Sequence, residues 1–110
     1  MSRSLRILAR ARAEVDHIFD WLQRRSPQGA ATWFNALSEA VDKIVENPGG
    51  YAPISEALPR WNRQIRQALF KTPRGKRYRI VFELTETEIR LLRVRGPGQP
   101  PLRRRDFPKE

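Results

Sequence analysis

The chain has 110 residues, no cysteine and a formal net charge of +10 at pH 7. That length holds one modest core and a single domain, and the missing thiols exclude disulfides and thiolate metal sites. With 39% hydrophobic and 31% charged residues, and no apolar run near the ~18 residues of a membrane span, the composition excludes disordered and membrane-spanning classes. No signal-peptide core is visible, and a reducing cytoplasm fits the composition.

The charge is unevenly placed. Residues 1–59 carry equal numbers of basic and acidic side chains, so the whole excess of +10 falls on residues 60–110. Most of those cations are arginine, which suits bidentate phosphate or carboxylate recognition better than lysine does. This asymmetry points to a polyanion or an acidic protein partner.

In chain order, Ser4 to Leu8 alternates with Leu5 and Ile7 on one side, a short first strand. From Ala9 to about Arg24 the apolar residues Ala11, Val15, Ile18, Phe19 and Leu22 recur every three or four positions, which predicts a helix. Ser26-Pro27 then punctuates the chain: serine caps a following helix, and proline at its first position needs no amide partner. The second helix runs from Pro27 to about Glu46 on a stripe of Ala30, Trp33, Phe34, Leu37, Val41, Ile44 and Val45. Asn47-Pro48-Gly49-Gly50 stops it. So short a break between two amphipathic helices implies an antiparallel hairpin.

Tyr51 to Asn62 reads as a loop, and beyond it the period falls to two. Arg63 to Lys71 sets Ile65 and Leu69 against Arg66, Ala68 and Phe70. A turn follows at Thr72-Pro73-Arg74-Gly75-Lys76. Tyr78 to Leu84 is a strand with Tyr78, Ile80, Phe82 and Leu84 on one side and Arg79, Val81 and Glu83 on the other. Glu88 to Arg95 is the last, with Leu92 and Val94 opposed to Leu91, Arg93 and Arg95. The expected fold is α+β, a helical hairpin packed on an antiparallel sheet in the order β-α-α-β-β-β. The domain occupies residues 1–96. Residues 97–110, rich in proline and arginine and without periodicity, are expected to form a mobile or partner-ordered tail.

With the elements placed, several stretches become recognisable. Ala13-Glu14-Val15-Asp16-His17-Ile18-Phe19-Asp20-Trp21-Leu22, then Ser26-Pro27 and Ala30-Ala31, resembles the first helical hairpin of RelE/ParE-family toxins. Asn47-Pro48, Tyr78-Arg79-Ile80-Val81-Phe82 and Ile89-Arg90-Leu91-Leu92-Arg93-Val94-Arg95 fit the same pattern, so the resemblance covers about residues 4–98. It implies the toxin of a type II toxin–antitoxin module of the plasmid-stabilisation kind. Such a toxin arrests growth and is neutralised by a cognate antitoxin whose toxin-binding region is often acidic. No cofactor is implied.

The resemblance also divides the function. RelE-like toxins cut mRNA on the ribosome; ParE-like toxins bind and poison DNA gyrase. Cutting RNA needs a base for the 2′-hydroxyl, a cation for the phosphorane and an acid for the leaving oxygen. Arg79 matches a position where RelE-like nucleases place a phosphate-binding arginine, or it decorates a solvated sheet face or pairs with Glu83; Arg66, Arg93 and Arg95 on neighbouring strands are candidates to share its face. Glu56 is the candidate base, or a plain loop carboxylate. Where RelE-like chains supply a further arginine and a terminal tyrosine or histidine, this chain reads Gly96-Pro97-Gly98-Gln99 and Asp106-Phe107-Pro108. That set is incomplete, which favours the ParE-like reading over an endonuclease. A third reading is a non-toxic basic adaptor for nucleic acid.

The anion- or partner-binding candidates are Arg63, Arg66, Arg77, Arg79, Arg93 and Arg95, with Trp61 either stacking a base or locking its loop onto the domain. His17, the only histidine, reads as an exposed helical residue, and a metal site is not expected. Trp33 reads as core, and Trp21 as lying at the edge of its stripe.

Overall fold

The computed structural model describes residues 3–56 and 63–107. Its elements are β1 (Ser4–Ile7), α1 (Ala9–Arg25), α2 (Pro27–Glu46), β2 (Ile65–Phe70), β3 (Tyr78–Leu84) and β4 (Glu88–Arg95). Single 3-10 turns lie at Pro48–Gly50 and Arg104–Asp106. The order is the expected β-α-α-β-β-β, with both helices within a residue of their sequence bounds.

Ser26 makes the hairpin corner. Its amide closes α1 by donating to Leu22 O at 2.8 Å, and its hydroxyl starts α2 by accepting from the Gly29 amide at 3.0 Å. Pro27 occupies the first position of α2 without wasting a donor. Ala30, Trp33, Leu37 and Ile44 turn one buried stripe of α2 to the sheet. Phe34 and Val45, assigned to that stripe from spacing, lie at its margin and are 46% and 41% exposed. Phe34 meets Phe19 of α1 edge-to-face at 6.0 Å, joining the two helices on their outer side.

The sheet order is β1-β4-β3-β2. The strands β2, β3 and β4 form the expected antiparallel meander, and β1 adds to its edge in parallel with β4, so the sheet is mixed. The helical hairpin between β1 and the meander permits this: it carries the chain back, so β1 reaches β4 running the same way. β1 covers β4 only as far as Ile7, which pairs with Leu91. Beyond it, Glu14 of α1 takes over the strand edge and accepts the Val94 amide at 3.1 Å.

Two clusters form, one on each face of the sheet. On the helix side, Ala68, Phe70, Ile80, Phe82, Ile89, Leu91 and Val94 pack with Trp33, Leu37 and Ile44. On the outer side, Ile65, Val81 and Leu92 pack with Leu102 and Phe107. Strict alternation groups Leu92 with Val94; the structure separates them. The register shifts between Val81, opposite Arg93, and Phe82, opposite Leu91, leaving Leu92 as the extra residue of a β-bulge. A bulge re-aims one side chain without ending the strand, and here it turns Leu92 to the outer face.

The outer cluster differs from the expectation of a mobile or partner-ordered tail, because the chain orders these residues on itself. Residues 97–107 fold back across the sheet, bury Leu102 and Phe107 to 2% and 6% exposure, and begin with Gly98 at φ +77°, a conformation glycine adopts without strain. No helix is long and apolar enough to cross a membrane among the described residues.

Candidate functional site

The strands bring some of the candidate arginines together and separate others. Arg79 and Arg95 are cross-strand neighbours on β3 and β4, and Arg93 pairs with Val81 one step along. These three lie on the outer face beneath the folded-back tail. Arg66 does not join them. It stands opposite Phe82, on the helix side with Ala68 and Phe70, and donates to Tyr51 O at 2.6 Å and to Gln64 Oε1 at 3.0 Å. The even spacing of its strand, which groups Arg66 with Ala68 and Phe70, already carried that outcome. Arg77 is exposed just before β3. Trp61 lies outside the described residues.

Each outer-face arginine has a defined environment. Arg79 forms a two-pronged pair with Glu56, both contacts 2.8 Å, and also reaches Gln67 Oε1 at 3.0 Å. Glu56 further accepts the Leu102 amide at 2.9 Å, which ties the tail to the loop after α2. The Arg79 guanidinium, outweighing the opposing effect of burial, lowers the Glu56 carboxyl to a pKa of about 2. Arg63 pairs with Glu83 through two contacts of 2.9 and 2.8 Å. Arg93, 4% exposed, pairs with both oxygens of Glu14 at 2.9 and 2.8 Å and donates to Asp106 O at 2.8 Å.

Arg95 differs. It is 8% exposed, gives one hydrogen bond to Pro100 O at 2.7 Å, and its buried Nε has no partner. Among the described residues no carboxylate comes within ion-pair distance of it. Burial, with repulsion from Arg93 added, lowers its pKa.

Arg93 and Arg95 also line a groove of about 960 Å³ between the helical hairpin and the end of the sheet. Arg10, His17 and Trp21 of α1 form one wall, with Trp33 of α2 and Tyr78 of β3 at the back. Arg74 and Lys76 of the β2–β3 turn stand at the rim. Glu14 is the single carboxylate of the lining, and Arg93 already engages it. His17, exposed on its helix as its position implies, thus borders a groove that the sequence did not reveal. The groove gathers residues from both helices, a turn and the last strand, so no local motif marks it. Among the described residues no group of histidine, cysteine and carboxylates is gathered that could hold a metal ion.

The helical hairpin, the mixed four-stranded sheet and the arginine-rich end of that sheet together define a small basic domain of the α+β class. Residues 5–99 match the family model described as the ParE toxin of the type II toxin–antitoxin system parDE. The chain therefore belongs to the ParE toxin family. Its fold is similar to a solved structure titled as the chromosomal ParDE TA system from P. aeruginosa. That match has a TM-score of 0.63 and 21% sequence identity, and covers 86% of this chain and 95% of the other. No curated protein matches the chain significantly.

Proposed function

We propose that this ParE-family toxin acts by binding, inhibiting DNA gyrase in the cytoplasm, and is held inactive by a cognate antitoxin with an acidic toxin-binding segment. The observation that carries this reading is the state of Glu56. A general base must have a pKa near the working pH, and a carboxylate lowered to about 2 by Arg79 is a poor proton acceptor. Arg79, the candidate phosphate clamp, is engaged by the same contact. Phe107, at the point where a nuclease needs a terminal acid, is apolar and buried. What is left exposed is cationic surface: Arg74, Lys76 and Arg77 beside the groove.

A supercoiling assay with purified gyrase tests the reading. Inhibition or a trapped DNA-cleavage complex is expected. Codon-positioned cuts in mRNA from expressing cells, with gyrase unaffected, overturn it in favour of the ribosome-dependent endonuclease. Expression without growth arrest overturns it in favour of the nucleic-acid adaptor. Antitoxin neutralisation is read separately, by restored growth when a candidate antitoxin is co-expressed.

A further inference from the structure

The groove at the end of the sheet carries a charge imbalance that the fold itself leaves open. Arg10, Arg74, Lys76, Arg93 and Arg95 line it against one carboxylate, and Glu14 is already engaged by Arg93 and the Val94 amide. Arg95 is the exceptional member, nine-tenths buried with an unpartnered Nε. A buried cation without a counter-charge is costly. The Trp33 indole Nε1 in the same lining is likewise buried without an acceptor. Arg95 borders the groove from the outer face and Trp33 from the helix side, and each carries a buried donor that an oxygen-bearing anion can satisfy.

The aromatic lining decides which kind. Trp33 and Tyr78 of the lining pack on each other and on Phe70 behind them, with ring centroids 5.5 to 6.1 Å apart, and Arg25 sits 4.2 Å from the Trp21 ring centroid. Trp33 and Tyr78, so engaged, offer edges to aliphatic side chains rather than open faces to stacking bases, and Arg25 occupies one face of Trp21. Arg95 is also recessed, whereas the backbone of a nucleic acid would meet the rim cations Arg74 and Lys76 first. An aspartate or glutamate on one or two methylenes reaches a recessed guanidinium and brings apolar neighbours with it.

We propose that this groove is a receptor for one carboxylate side chain of a partner polypeptide, received at Arg95, with the partner's flanking aliphatic residues against Trp21, Trp33 and Tyr78. The proposal deepens the antitoxin reading above and rests on it for the identity of the partner. It explains why the free domain keeps a buried guanidinium that no carboxylate contacts: Glu14 and Asp106 act on it only through space, and a direct ion pair forms only in the complex, as binding sites commonly trade stability for function.

Nuclear magnetic resonance on the full chain tests it through the two unpaired donors themselves. The probe is a blocked tripeptide of leucine, glutamate and leucine, with the glutamine analogue as control. The glutamate peptide is expected to move the Arg95 Nε–H and Trp33 indole signals saturably and to bind about 10- to 100-fold more tightly than its control, the range for a charge-assisted hydrogen bond. Arg95→Met is expected to erase that preference and to raise the Tm of the free protein by about 4 °C or more. Arg95→Lys, which keeps the charge but loses the planar fork, is expected to keep the fold and to cut the preference at least tenfold. Equal binding of the two peptides, or a lower Tm in Arg95→Met, overturns the proposal. A single-stranded oligonucleotide moving the same two signals more strongly than the peptide overturns it in favour of a nucleic-acid groove. Failure here leaves the antitoxin reading standing, because growth rescue decides that one; failure of rescue leaves the peptide result standing.

Discussion

Glu14 and Arg93 close the open edge of β4 together. The carboxylate accepts two guanidinium hydrogen bonds at 2.9 and 2.8 Å and, through Oε1, the Val94 amide at 3.1 Å. One side chain from α1 thus satisfies a buried cation and a strand amide that β1 is too short to reach. It fixes the helical hairpin against the end of the sheet where the groove forms. Glu14→Ala leaves Arg93 buried without its counter-charge, and the expected loss is about 3–5 kcal/mol. Asp16→Ala, at an exposed position of the same helix, is expected to stay within about 0.5 kcal/mol. Urea unfolding of the two variants makes the comparison.

Glu56 gives the fold a specific acid sensitivity. Its carboxyl falls from an ordinary 4.5 to about 2 in the folded chain, so the folded state binds the proton less readily than the unfolded state does. The stability this contributes is fully present above pH 4.5 and is lost as pH falls toward 2, by about 3 kcal/mol at most. Asp106, lowered chiefly by the Arg103 amide, acts in the same direction. Chemical denaturation between pH 5 and pH 2 is expected to show a slope that Glu56→Gln flattens. An unchanged slope in that variant would place the acid sensitivity elsewhere.

The fold was legible because its signals are local. The period of the helices, the Ser26-Pro27 corner and the alternation of Tyr78 to Leu84 each depend on neighbours in sequence. The parallel addition of β1 was not legible, since nothing in four exposed residues states which strand they join. The bulge at Leu92 was hidden for a related reason: alternation assumes one residue opposite one residue, and the shift belongs to the pair β3–β4 rather than to either strand. Of the candidate site, strand spacing brought Arg79 and Arg95 together, but their partners come from far along the chain. Glu56 lies 23 residues from Arg79, and Glu14 lies 79 from Arg93.

The order of residues 97–107 was not legible because only two of their side chains, Leu102 and Phe107, enter the core, two apolar residues make no period, and the other ties run from Glu56, Arg93 and Arg95 to the tail backbone. Burial of the two side chains against Ile65, Val81 and Leu92 predicts that Phe107→Ala costs about 3–5 kcal/mol and Leu102→Ala about 2–5 kcal/mol. Truncation after Gln99 removes both and uncovers the outer cluster, so increased binding of a hydrophobic dye is expected alongside the lower Tm. A truncated chain with unchanged Tm and no dye binding would show that the tail contributes nothing to the core.

The groove's rim separates charge used for encounter from charge used for structure. Arg74 and Lys76 stand on the exposed β2–β3 turn and make no ion pair among the described residues, so reversing them removes no contact that the fold depends on. Arg74→Glu with Lys76→Glu is expected to leave stability within about 0.5 kcal/mol. An acidic partner drawn in by the rim loses that attraction in the double variant, and rim charges govern on-rate and salt dependence more than residence time. The expected result is an association rate at least tenfold slower at low salt, converging on wild type as salt rises because the Debye length shrinks to about 3 Å at 1 M. Stopped-flow association with the co-expressed antitoxin reads this directly. Faster dissociation with unchanged association would mean that these two cations sit inside the interface rather than at its approach.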